Sequence, residues 1–202
     1  IKDIGYVMYD HFHEGERLAY WFEGMGMSDL FKDIMIHGLS NNVIPIYLSE
    51  IFFENNSVVG MRFFIFLLNC LAYFFLYKLI DTLIKLLNIP LNSDYLSLFI
   101  FSGFAIIESP LLYIGHKDLL FLLNLNFLFL FLLNIDKKRK YLYGLMLGIV
   151  FFSSFFYTFN RALYGLVYLS IILITLFFLN KKYFLELLKS FSLGFFLAVI
   201  CF

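Results

Sequence analysis

Charge is scarce in this chain. Only 15% of its residues are charged, and fifteen Asp and Glu balance fifteen Lys and Arg to a formal net charge of zero. Soluble domains carry about 25% charged and roughly 45–50% apolar residues. This chain is instead 62% hydrophobic, holds 29 Phe, and has a mean hydropathy of +0.86. A soluble fold has no way to hide that much apolar surface, so the class indicated is an integral membrane protein. The zero balance excludes the basic footprint of a nucleic-acid binder. Cysteine is equally sparse: Cys70 and Cys201 both fall in apolar runs, which argues against a disulfide framework, and neither has metal-ligand spacing to a partner. No internal repeat is visible, and no HExxH motif is present.

The polar residues that do occur are gathered. The first 57 residues hold nine of the fifteen carboxylates and three of the four histidines, with a dense run Asp10-His11-Phe12-His13-Glu14-Gly15-Glu16-Arg17. Six hydrophobic segments follow. A spanning helix needs about 20 mostly apolar residues, and the pattern predicts spans over 58–80, 95–115, 119–135, 141–159, 162–180 and 183–202. Glu108-Ser109-Pro110 interrupts the second of these, and Pro90 with Asn92-Ser93-Asp94 marks the first turn. The predicted fold is therefore all-α, a polytopic helix bundle behind an N-terminal loop. Position 1 is Ile, and the run after Phe195 has no polar flank before Phe202. We expect a piece of a longer protein, with room for a signal peptide or an earlier span before it.

Lys and Arg accumulate in cytoplasmic loops. Lys137-Lys138-Arg139-Lys140, the pair Lys181-Lys182, and Lys78 with Lys85 lie in alternate connections, so six crossings put all three on the cytoplasmic side. Residues 1–57, the segment 108–118 and the turn at Asn160-Arg161 then face outward, together with His11, His13, His37 and His116. The expected location is a bacterial cytoplasmic membrane. The short connection between the fourth and fifth spans predicts an antiparallel hairpin. Asp81 and Lys85 form an i, i+4 pair that a solvated helix end explains.

Within the leader, residues 13–23 can form an amphipathic helix. His13, Glu16, Arg17 and Tyr20 share one face, while Leu18, Trp21, Phe22 and Met25 share another. Such a helix would lie along the membrane surface. Ser28 and Gly38 bracket a second short helix, with Asp29, Asp33 and His37 on one face. Pro45 opens a third stretch over 46–53, too short to span.

Each polar group has a functional and a bland reading. Asp10, Glu14 and Glu16 can supply a general base, since a carboxylate at a low-dielectric boundary accepts a proton at higher pH than one in bulk water; the bland reading is a solvated acidic loop. His11 and His13, with Glu14 and Glu16, have a spacing that permits a divalent metal, against a structural histidine pair. Arg62, Glu108, His116, Lys117 and Arg161 gather near one membrane face, and ionisable groups at membrane depth point to function. Their cations suit a lipid phosphate, which Arg clasps in bidentate fashion and Lys meets as a point charge. The bland alternative is that Arg62 and Lys117 snorkel to the headgroups.

The leader resembles the first extracytoplasmic loop of GT-C type membrane glycosyltransferases of the protein mannosyltransferase-like kind. The matching residues are His13-Glu14-Gly15-Glu16, the stretch Gly26-Met27-Ser28-Asp29-Leu30-Phe31-Lys32-Asp33, His37-Gly38, and Arg62 in the following span. The resemblance covers about residues 10–62. It implies a hexosyltransferase that moves a sugar from a polyprenyl-phosphate donor to a hydroxyl of a glycan, lipid or protein acceptor. It further implies a loop carboxylate as base, Arg62, Lys117 and Arg161 on the donor phosphate, and His13, Asp33, His37 and Glu108 around the acceptor or sugar. His13 stands where the family often has an Asp, which leaves the base open among Asp10, Glu14 and Glu16. The Pro-Tyr pair before Asp33 is missing. Two other classes compete: a transporter or flippase for a lipid-linked or small solute, and a non-catalytic membrane subunit that uses the leader for docking.

Overall fold

The computed structural model describes residues 44–53, 58–89, 93–106 and 115–201. The acidic leader therefore lies outside the described residues. Among the described residues all regular structure is helical: α1 (Ile44–Phe52), α2 (Val58–Leu86), α3 (Ser93–Ile106), a 3-10 turn (His116–Asp118) that runs into α4 (Leu119–Leu133), α5 (Lys140–Tyr157), α6 (Phe159–Leu179) and α7 (Lys181–Cys201). Backbone polar groups in hydrocarbon have no water to bond, so a helix, which satisfies them within the segment, is the outcome the apolar runs require.

Among the described residues five helical segments are long and apolar enough to cross a membrane: Val59–Leu86, His116–Leu133, Lys140–Tyr157, Phe159–Leu179 and Lys181–Cys201. The chain is thus an all-α integral membrane protein. The run expected as a span over 95–115 is described only as α3, up to Ile106; residues 107–114 of it lie outside the described residues. The first span is longer than expected, because α2 has 29 residues and continues past Ile80 to Leu86.

Lys78, Asp81 and Lys85 consequently sit on α2 and not in a loop. Asp81 is buried at 8% exposure, although its 2.6 Å ion pair to Lys85 is present, so a fully solvated helix end does not describe it. The helix stops where Asn88 turns left-handed at φ 50°. The Asn88 N–H then bonds the Lys85 carbonyl, and the Ile89 N–H bonds the Ile84 carbonyl. This is the Schellman pairing, for which Asn substitutes tolerably for Gly, and Pro90 follows as the residue that bars continuation.

Lipid tails are as apolar as leucine, so helix association in a membrane relies on close packing and interhelical hydrogen bonds. Both are present. Asn124 and Asn126 lie two residues apart on α4, about 200° around the helix, and so face different neighbours. Asn126 Nδ2 donates to the Phe75 carbonyl of α2 at 2.8 Å, and Asn124 Nδ2 donates to Ser154 Oγ of α5 at 2.7 Å. The α4 helix is thereby pinned on two sides. Around it one apolar cluster joins Ala72, Leu76 and Leu79 of α2 to Leu119 and Leu122. A second joins Leu128 and Phe131 to Leu147, Phe151, Leu169 and Leu187.

The most extensive helix contact is between α5 and α7, and it exceeds that between the sequence neighbours α5 and α6. Its cause is a small-x-x-x-small pair on each side, Gly144 and Gly148 facing Ser190 and Gly194. A Cβ on Gly148 would overlap the Phe191 carbonyl oxygen and come within 2.6 Å of the Phe195 nitrogen. A Cβ on Gly194 would overlap the Leu145 carbonyl. The backbones touch because no side chains intervene. Between α5 and α6 only Thr158 is non-helical, in an extended conformation (φ −158°, ψ 98°), so the expected short connection is a single residue. Asn180 plays the same part between α6 and α7. Its Oδ1 accepts the N–H groups of Lys182 and Tyr183 at 3.1 and 3.4 Å, as an N-cap does.

Candidate functional site: a polar knot at one pole

The connections sort into two poles. At the first, the 3-10 turn, the end of α5 and the start of α6 meet. The turn begins at Gly115, whose N–H donates to Asp118 Oδ2 at 3.0 Å, while the Asp118 N–H returns to the Gly115 carbonyl at 2.9 Å. Asp118 thus closes its own turn with one carboxylate oxygen. The other oxygen accepts from Arg161 Nε at 2.6 Å. The His116 backbone is held from both sides: its N–H donates to Asn69 Oδ1 of α2 at 2.5 Å, and Tyr157 Oη donates to its carbonyl at 2.8 Å. His116 is buried at 4% exposure. Four elements therefore converge on four residues.

The electrostatics of the knot follow from its exposure gradient. The Asp118 side chain is 12% exposed and that of Arg161 36%, so the carboxylate points inward and the guanidinium outward. Arg presents five N–H donors in a planar fork. Asp118 takes the Nε side, and the Tyr164 ring lies 5.7 Å from the guanidinium carbon. These two contacts hold the partly exposed guanidinium in place. A guanidinium oriented in this way is suited to an oxyanion or phosphate ester, because its side-chain entropy is already spent before the ligand arrives.

The structure distributes the sequence candidates unevenly. Asp10, Glu14 and Glu16, the pair His11 and His13, Asp33, His37 and Glu108 all lie outside the described residues. Among the described residues no three His, Cys, Asp or Glu side chains gather in a way that would hold a metal ion. Arg161 and Lys117 both belong to the knot's pole, Lys117 half-buried in the 3-10 turn beside Asp118. Arg62 is exposed on α2, seven residues before Asn69, and so about 10 Å along the axis from the level of His116. The helix axis separates Arg62 from the knot by two turns.

Three members of the knot were not singled out by sequence reasoning. Asp118 sits at the edge of an apolar run, where it reads as a solvated flank. Asn69 is a lone amide within the first span, and an intramembrane polar residue was the available signal. Tyr157 ends a Phe-rich run and carries no pattern of its own.

The second pole is organised around Lys140. It is 7% exposed, and its Nζ donates to Glu186 Oε2 at 2.6 Å and to the Ile135 carbonyl at 2.8 Å. Tyr141 Oη reaches the other Glu186 oxygen at 3.0 Å, and Tyr183 Oη donates to Asp136 Oδ1 at 2.6 Å. These bonds tie the α4–α5 turn to the start of α7. The network serves to hold the bundle.

No family model matches the chain, and neither a curated protein nor a solved structure matches it.

Proposed function

We propose that this chain is part of a membrane glycosyltransferase that moves a sugar from a polyprenyl-phosphate donor to an acceptor hydroxyl. The carrying observation is the partly exposed Arg161 fork, anchored through Nε by a mostly buried Asp118 at one pole of the bundle. In the proposed orientation that pole is extracytoplasmic, residues 1–57 lie on the same side of a bacterial cytoplasmic membrane, and the basic connections face the cytoplasm.

In the reaction, one of Asp10, Glu14 and Glu16 takes the proton from the acceptor hydroxyl. The acceptor oxygen forms a bond to the anomeric carbon as the bond from that carbon to the phosphate oxygen breaks. The electron pair leaves with the polyprenyl phosphate, and Arg161 with Lys117 stabilises the charge that grows there. A preorganised donor loses no reorganisation energy at that moment, and removing one such donor typically costs about 10²–10³ in rate.

The test uses the full-length protein reconstituted in vesicles with a radiolabelled polyprenyl-phosphate sugar. Arg161→Ala should lower turnover about a hundredfold, and Arg161→Lys should restore only part of it, because a point charge lacks the fork. Full turnover in Arg161→Ala, or solute flux without any sugar transfer, would overturn the reading.

A further inference from the structure

The two basic connections of the second pole are neighbours in space. Tyr183, three residues after Asn180, hydrogen-bonds Asp136, which directly precedes Lys137. Lys140 reaches Glu186 across the same gap. The exposed side chains Lys137, Lys138 and Arg139 of one connection therefore lie beside the exposed Lys181 and Lys182 of the other.

The two carboxylates of this region are engaged elsewhere. Asp136 accepts from Tyr183, and Glu186 accepts from Lys140 and Tyr141. None of the five exposed cations forms an ion pair among the described residues; Lys181 lies over the Phe177 ring at 5.6 Å and Lys182 over the Tyr183 ring at 6.0 Å. These aromatic contacts hold the two lysines near the helix ends without neutralising them. The result is a five-cation surface at the ends of four apolar helices, which is the depth of lipid headgroups.

We propose that this surface is a binding platform for anionic phospholipid headgroups, built jointly by residues 137–139 and 181–182. Charge complementarity names the occupant: clustered Lys and Arg at the end of membrane helices attract anionic headgroups, at an upper value of about fivefold in affinity per cation. The Lys140–Glu186 and Tyr183–Asp136 bonds supply what a solvated basic loop lacks, a fixed spacing between the two halves. The proposal is independent of the sugar-transfer reading.

The experiment measures the preference of the full-length protein for phosphatidylglycerol over phosphatidylcholine in mixed vesicles. The double variants Lys137→Gln/Lys138→Gln and Lys181→Gln/Lys182→Gln should each lower the preference at least fivefold, and the quadruple variant should abolish it. Lys181→Arg/Lys182→Arg should keep it, which separates loss of charge from loss of fold. Salt at 1 M should reduce the preference, since the Debye length falls to about 3 Å. An unchanged preference in the quadruple variant would mean solvated turns only and would sink the proposal. Loss in one double variant with none in the other would overturn the joint platform. Displacement of the lipid by millimolar inorganic phosphate would indicate a small-anion site and refute a lipid one.

Discussion

Replacing Gly148 by Ala tests how the bundle is held together. The added Cβ would stand 2.6 Å from the Phe195 nitrogen and 3.0 Å from the Phe191 carbonyl carbon, and it would overlap the Phe191 oxygen. All three are backbone atoms, so no rotamer change relieves the clash. Non-bonded contacts settle near ~3.5 Å, so the overlap with the Phe191 oxygen forces α5 and α7 apart by at least about 1 Å. A gap of that size forfeits a quarter to a half of each dispersion contact along the seam. The contacts between Phe151 and Phe191 (5.5 Å) and between Phe152 and Phe195 (5.3 Å) lie on that seam. Overpacking costs typically about 1–3 kcal/mol, and the better helix propensity of Ala returns about 0.5–1 kcal/mol. A net destabilisation of roughly 1–2 kcal/mol should result. Gly165 is the internal control: its Cβ would meet Phe151 at 3.7 Å and Phe121 at 3.9 Å, an ordinary contact, so Gly165→Ala should stabilise by up to about 1 kcal/mol. Reversible unfolding of the detergent-solubilised protein reads both. If the two variants shift stability in the same direction by similar amounts, close backbone packing is not what holds α5 to α7.

Three further outcomes follow from the polar contacts. Asp118→Asn keeps an acceptor for the Gly115 N–H but leaves Arg161 without its carboxylate. A broken buried pair costs about 3–5 kcal/mol, and the 36% exposure of Arg161 reduces this to roughly 1–2 kcal/mol of unfolding free energy; an unchanged melting curve would refute the pairing. Asn126→Leu should destabilise by about 0.6–1.7 kcal/mol. Asn124→Leu should cost less, because Asn124 Oδ1 is buried without a hydrogen-bond partner among the described residues; the reverse order in denaturation would count against α4 being pinned in this way. Asn180→Ala removes the cap on Lys182 and Tyr183 and should cost about 1 kcal/mol, with Asn180→Ser recovering most of it; equal stability of the two variants would exclude capping.

The legible and illegible parts of the fold divide along a physical line. The runs after residue 115 predict their helices to within a few residues, because an apolar stretch has one answer in lipid. The α5–α7 seam was less legible, although Gly144, Gly148, Ser190 and Gly194 carry the small-x-x-x-small spacing that signals it. Of the candidate site, Lys117 and Arg161 were readable as cations near one membrane face. Their partner Asp118 was not, since a carboxylate beside a polar turn is usually solvated.

By itself the sequence determined a membrane-embedded, all-helical chain, since run length and apolar content act locally and the backbone must bond within each segment. The tertiary structure alone decided which scarce polar groups meet. Tyr157 and His116 are 41 residues apart, Asn69 and His116 are 47, and the ion pair of Asp118 with Arg161 joins separate helices. Such pairings depend on helix rotation and spacing, and these are set by glycine contacts and amide bonds between helices, which no single run encodes.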